Sequence, residues 1–558
     1  MDKRLLIAVA VSLGILLLWG KLFPPPTSPA RNSAPVATQN QPASDTGIVQ
    51  APKPNEAAGN PSAANPGQAP QARGSEQLVT LASPTADYVF SSWGASLRHA
   101  KLKDRQFLRD RSKPDSGIDL VSTPGEETAP LRTTFARPEF AWSDTVAWTV
   151  EQTNASGAAF RAETADVVVE KRYTLEPLRY RLLLSVVVQN KTAKSLDLAL
   201  LVHMFAAQDP EKKGGGFFSY ASANLTETVC HVGDKAKRST VEALAKEPQS
   251  FVGGVRWAAA GDKYFTIAAV PFPENPPRER GCREQAIDSA RGEVSLSYAT
   301  RTVAAGERTE YSMIVFAGPK YTSDLEAVRP AGEDAKMADA VDVTFAMLSR
   351  PMLALLKAFY KLTGNWGIAI ICLTIFVRMV TFYPTYKQMV SGKKMQALSG
   401  KIGDLRKKYE NDKQKLGVET MNLYKAHGVS PFSGCLPALI QMPIWIALFS
   451  TLNYAVELYR SSFFWYITDL SAKDPYYLAP LLMGIVMFLQ MRMTPAGTDP
   501  QQQKMMSVMM PVMFTGFSLF LPAGLSIYTL TSYLFGIVQQ LVVNRRFRNA
   551  VHAAPAKA

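Results

Sequence analysis

The sequence predicts a multi-domain membrane protein, a large β-rich domain joined to an α-helical bundle of membrane spans. Three observations predict it. The chain has 558 residues, too many for one compact domain. Its mean hydropathy is −0.04, near that of a soluble protein. That average hides two unlike halves: residues 24–342 are polar or alternating, and residues 366–543 carry long apolar runs.

The chain starts with Lys3 and Arg4 ahead of an apolar run from Leu5 to Gly20. A cleaved signal peptide would place small residues at a cut site, but Lys21, Phe23 and three prolines follow, so 1–23 is predicted to be an uncleaved anchor with a cytoplasmic N-terminus. Residues 24–75, rich in Pro, Ala, Ser, Asn and Gln, cannot bury a core and are expected to be a flexible linker. Residues 76–342 carry repeated strand signals. VVVEKRYTLEPLRYRLLLSVVVQN reads as two β runs broken at Glu176 and Pro177, and ERTEYSMIVFAGPK as a further strand. A large β-sandwich follows. His99, His203 and His231 fall in no motif and are expected to be structural or surface residues. Residues 343–361 place Arg350, Lys357 and Lys361 on one helical face and Leu353, Leu356 and Tyr360 on another. The reading is an interfacial amphipathic helix; the alternative is a helix buried in the β-domain.

Residues 362–548 hold five apolar segments, near 366–383, 435–453, 478–493, 505–521 and 523–543. With the anchor that makes six spans, which puts the β-domain outside, the segment 385–429 inside and the tail 549–558 inside. Charge agrees independently: 385–429 holds ten Lys/Arg against four Asp/Glu, and the outer stretch FFWYITDLSAKDPYY is aromatic. The segments at 478–493 and 505–521 reach only roughly 24–26 Å, short of a ~30 Å hydrocarbon core, which suggests local thinning of the bilayer. The segment 385–429 is expected to be a helical hairpin with a seam of Met395, Leu398, Ile402, Leu405 and Tyr409 and a turn at ENDKQKLG. Its basic residues Lys401, Arg406, Lys407 and Lys408, with Arg545 and Arg546 near the C-terminus, suit ribosomal RNA or anionic lipid; an ordinary topology signal is the alternative.

One residue breaks the apolar pattern. Arg378 lies inside IICLTIFVRMVTFYP, where a charge costs several kcal/mol. Snorkelling is the simple account, but helical side chains lean toward the N-terminus, which in this orientation points Arg378 at the bilayer middle. The five apolar segments contain no Asp or Glu. Water and neutral groups remain: Thr374 one turn earlier, Gln441, Tyr528, Thr529 and Ser532. These are predicted to surround a wet cavity open to the cytoplasm.

Nine of the 20 methionines fall between Met483 and Met513, suited to varied apolar partners or to core filling. No phosphate loop, HExxH or GxSxG motif occurs, so no nucleotide hydrolysis or protease chemistry is indicated, and no cofactor or metal site is expected. If the β-domain is exported, Cys230 and Cys282 are candidates for a disulfide.

TIFVR and its basic hairpin, SPFSGCLPALIQMPIWIAL, DLSAKDPYYLAPLLMG, TDPQQQKMM and LPAGLSIYTLTSYL together resemble the YidC/Oxa/Alb family of membrane protein insertases, over about 340–548. The anchor, linker and β-domain resemble the Gram-negative form of that family. The resemblance implies a five-helix insertase core with a hydrophilic groove, and a periplasmic sandwich of galactose-mutarotase type. It implies nascent membrane proteins as clients, with the Sec translocon (SecYEG, SecDF), the ribosome and anionic lipids as partners, and no DNA. The family's groove residues fall on Arg378, Thr374, Gln441 and Tyr528, while its frequent second tyrosine is Thr529 here. A client helix would slide past the spans that carry Met442, Pro443, Trp445, Met509 and Met513. Two other readings compete. A small-molecule transporter would show repeats, of which none is visible. A membrane-anchored sugar enzyme would lose all function with residues 76–320.

Overall fold

The computed structural model describes residues 75–553, apart from 124, 137–139, 141, 143–145, 209–224, 343–344, 411, 429–435 and 494–504. The predicted anchor, nearly all of the linker and the end of the tail lie outside the described residues.

The β-domain is built on two large antiparallel sheets packed face to face, and it also holds a three-stranded sheet (78–82, 86–91, 96–102) and a two-stranded one (196–198, 301–303). Of the large sheets, one has nine strands in the order 235–240, 227–232, 255–261, 265–271, 308–319, 181–190, 167–175, 157–163 and 148–153. The other has five: 249–252, 281–286, 291–297, 200–207 and 132–135. The two predicted runs pair directly, Val167–Leu175 with Arg181–Asn190, on either side of a turn at Glu176–Pro177. Alternation along Arg181–Asn190 sends Leu182, Leu184, Val186 and Val188 inward. There they join Trp257, Val202 and Leu296 in one continuous core. ERTEYSMIVFAGPK forms the strand Arg308–Pro319 beside Arg181–Asn190.

The helical half comprises α1 (Ala346–Thr363), α2 (Trp366–Val380), α3 (Phe382–Ala397), α4 (Ser399–Lys408), α5 (Lys413–Ala426), α6 (Leu436–Tyr454), α7 (Leu478–Met493), α8 (Met510–Ser518) and α9 (Ala523–Ala553). Helix α1 packs on α2 and α6 with Met352 and Leu356 buried. It therefore belongs to the helical core and not to the sandwich. Among the described residues only Ala523–Arg545 is long and apolar enough to cross a membrane as one uninterrupted helix. The predicted span 366–383 differs from expectation: it ends at Val380 and turns through 61° into α3. Pro384 explains the break, since its ring clashes with the carbonyl four residues back and its nitrogen offers no donor. In the predicted hairpin, the end of α3 and α4 pack on α5 around Leu398, Ile402 and Tyr424, with Met395 and Leu423 alongside. The segment ENDKQKLG is already helical from Lys413.

The two halves meet at a polar joint. The Gln106 side chain donates to the carbonyls of Val456, Glu457 and Tyr459 at 3.0, 3.2 and 2.7 Å. Lys263, at a hairpin tip of the nine-stranded sheet, donates to Asn453 Oδ1 at 2.6 Å near the end of α6.

Candidate functional site

Helices α2, α6, α7, α8 and α9 enclose a cavity of about 150 Å³. Arg378, Gln441, Trp445, Tyr528, Ser532 and Tyr533 supply its polar and aromatic lining, and Met483 and Phe517 close the apolar side. Arg378 reaches it from the last turn of α2. Its Nε donates to Ser532 Oγ at 2.9 Å, and Nη2 meets the same oxygen. The Tyr528 side chain lines the cavity beside Ser532 and Gln441. Tyr528 and Tyr533 are the groups that act electrostatically on Arg378; among the described residues no carboxylate pairs with it. A cavity of this size with this many donors and acceptors has room and partners for several waters. Ser526, 1% exposed, lines it too, and its hydroxyl finds no protein partner among the described residues.

The site therefore unites Arg378, Gln441, Tyr528 and Ser532, and leaves out Thr374. That residue is 1% exposed, and its hydroxyl donates to the Ile370 carbonyl at 2.7 Å on its own helix. It shares a face with Arg378 but lies a turn deeper, inside packed side chains. Tyr533 and Ser526 were not anticipated. A signal for Tyr533 existed: it follows Thr529 by four residues and therefore shares its helical face.

The residues expected to guide an apolar client differ in exposure. Met442, Met509 and Met513 are exposed, at 42%, 64% and 56%. Pro443 stands inside α6 and is half-buried. Trp445 lines the cavity and stacks on Phe449 at 5.4 Å. Methionines also serve the packed interior, since Met483 and Met487 are buried. Of the basic residues, Lys401, Lys407, Lys408 and Arg545 are exposed and Arg406 is half-buried. Arg546 lies in α9, and its side chain is outside the described set.

In the sandwich, Cys230 and Cys282 form a disulfide with Cα atoms 6.0 Å apart, which ties the nine-stranded sheet to the five-stranded one. Each histidine there has a carboxylate partner: His99 with Asp119 at 2.6 Å, His203 with Glu293 at 2.6 Å, and His231 with Asp339 at 3.2 Å. Burial pushes His231 below its ordinary range against the pull of Asp339.

Two family models match the chain: "60Kd inner membrane protein" over residues 358–550 and "YidC periplasmic domain" over residues 78–355. Curated relatives named "Membrane protein insertase YidC" align over nearly the whole length. The one from Anaeromyxobacter sp. (strain Fw109-5) is 34% identical, covering 100% of this chain and 99% of its own. The one from Citrifermentans bemidjiense is 34% identical over 98% and 99%. Among solved structures, an active YidC insertase aligns at 18% identity and a TM-score of 0.35, over 84% of this chain and 92% of that one. A galactose mutarotase-like protein from Lactobacillus casei aligns at 11% identity and a TM-score of 0.33, over 43% of this chain and 100% of that one.

Proposed function

The chain belongs to the YidC family of membrane protein insertases, and from that premise we propose that it inserts and helps fold nascent proteins of the bacterial inner membrane through the cavity around Arg378. One observation carries the reading: a guanidinium in an apolar bundle is held by a serine hydroxyl rather than by a carboxylate. Its charge is left to act on whatever enters. A short polar segment of a client would find water, Arg378 and Gln441 in the cavity instead of hydrocarbon. Its apolar helix would pass the exposed methionines of α6 and α8 into lipid, driven by roughly 25 cal/mol per Å² of apolar area buried. The step needs no nucleotide.

The same reading sets the rest. Six spans put both termini in the cytoplasm and the sandwich in the periplasm. Short spans thin the bilayer near the cavity. The basic face of α4, with Arg545 and Arg546, meets ribosomal RNA or anionic lipid. It acts alone or with the Sec translocon.

The test is insertion of a short single-span client into liposomes that hold only this chain, without nucleotide. Photo-crosslinkers at Gln441 and Tyr533 capture the client's polar flank. Capture only at Met509 and Met513 would rule out the cavity route.

A further inference from the structure

The break between α2 and α3 is held from outside by one side chain. Gln539, on α9, is 2% exposed. Its Nε2 donates to the Phe382 carbonyl at 3.2 Å and to Thr385 Oγ1 at 2.8 Å. Both amide hydrogens are therefore used, and since Phe382 offers a carbonyl, the nitrogen must face it. The local hydroxyls complete the set: Thr385 donates to the carbonyls of Thr381 and Phe382 at 2.6 and 3.0 Å, and Thr381 to that of Val377 at 2.9 Å.

We infer that Gln539 is a positioning residue for insertion, a clamp that fixes the 61° bend after Arg378 and so aims the α4–α5 hairpin relative to the cavity. Pro384 makes the break but does not set its angle, because a missing donor and a ring clash permit many bends. In surroundings without bulk water the carbonyls of a break must find partners within the protein. Thr385 serves the Phe382 carbonyl from within α3; Gln539 adds hydrogen bonds to that carbonyl and to Thr385 that exist only while α3 leans on α9, so they select one angle. Arg378 is three residues before the break and meets Ser532 on the same helix α9 that carries Gln539. Two attachments to one helix, Ser532 to Arg378 and Gln539 to Phe382, hold the end of α2 and the start of α3 in register. The role in insertion rests on the cavity reading above; the clamp itself does not.

The experiment uses the full chain in lipid nanodiscs, with spin-labelled residues introduced at Val418 on α5 and Met347 on α1, both exposed. The distance between the labels reports the bend. Gln539→Leu is expected to broaden and shift that distance, with the bent population falling about threefold for each hydrogen bond lost. Client insertion falls by a similar factor. Gln539→Glu supplies a second arm: its neutral acid keeps one donor and its carboxylate none, so the distance becomes pH-dependent. A wild-type distance in folded Gln539→Leu, or no response to pH in Gln539→Glu, overturns the clamp. A shifted distance with full insertion overturns its role in insertion. Failure of the wild-type chain to insert any client tells instead against the cavity reading, and the distances still decide the clamp.

Discussion

Lys320 in the sandwich and Arg378 in the helical half are both cations drawn away from bulk water, and they are satisfied in opposite ways. Lys320, 4% exposed, sits 2.8 Å from a Glu227 oxygen that Arg238 also engages at 2.9 Å. Arg181 is likewise paired with Glu176. Lys171, fully buried, donates instead to the carbonyls of Leu131 and Gly94, and burial holds it well below the ordinary lysine range. Each of these cations is held by a carboxylate or by backbone carbonyls. Arg378 meets one serine hydroxyl, with two tyrosines nearby, and faces a cavity. A carboxylate partner closes a charge into the structure. A hydroxyl partner orients it and leaves its field available. The same residue class thus supports a fold in one half and a function in the other.

The largest test removes a closing partner. Glu227→Ala leaves Lys320 and Arg238 facing each other without their carboxylate, and breaking such a buried set costs about 3–5 kcal/mol. Thermal unfolding of the full chain should drop accordingly, with insertion per folded molecule unchanged. Acid works in the same direction. Burial raises the Glu227 carboxyl, but Lys320 and Arg238 outweigh it and hold it below its usual range. Its contribution is therefore present above the ordinary carboxylate pKa and is lost as pH falls through the lower folded value.

The joint between the halves gives the next effect. Burial pushes Lys263 down from 10.5 to about 8, with Asp262 partly opposing. Between those two values the unfolded chain holds a proton that the folded chain does not, so stability rises with pH across that window. The upper bound is ~3 kcal/mol, from 1.36 kcal/mol per unit. Lys263→Met should flatten the rise of the melting midpoint between pH 8 and pH 10.5. An unchanged slope would place the titration elsewhere.

Arg378→Ala reverses the pattern seen for Glu227. It should leave the melting midpoint in place and reduce insertion of a client with an acidic flank about tenfold, at the low end for hydrogen bonds to charged groups. Arg378→Lys, which keeps the charge without the planar fork, should recover part of it. A large loss of stability in Arg378→Ala would make the residue a structural one like Lys320.

Much of this contrast was legible in the sequence, and what escaped was long-range. The paired strands around Glu176–Pro177 and the lack of acids in the apolar segments are local facts. The order of the nine-stranded sheet is not, and neither is the meeting of Cys230 with Cys282 across 52 residues. The bend at Thr381 was concealed because the apolar run continues through Tyr383 and Pro384 acts four residues upstream of itself. Tyr533 was readable from its spacing to Thr529, but Gln539 was not, since its importance depends on the break it faces.

Thr374 gives the smallest effect and the sharpest use of the comparison. It neighbours Arg378 on one helical face, yet its hydroxyl is spent on the Ile370 carbonyl and does not line the cavity. That carbonyl can also be served by the helix's own N–H, so removing the hydroxyl orphans nothing. Thr374→Val keeps the shape and should shift stability by less than ~1 kcal/mol. Insertion should equal wild type for clients with acidic or neutral flanks, measured beside Arg378→Ala in the same liposomes. A loss approaching that of Arg378→Ala would mean that α2 rotates during insertion and brings Thr374 into the cavity.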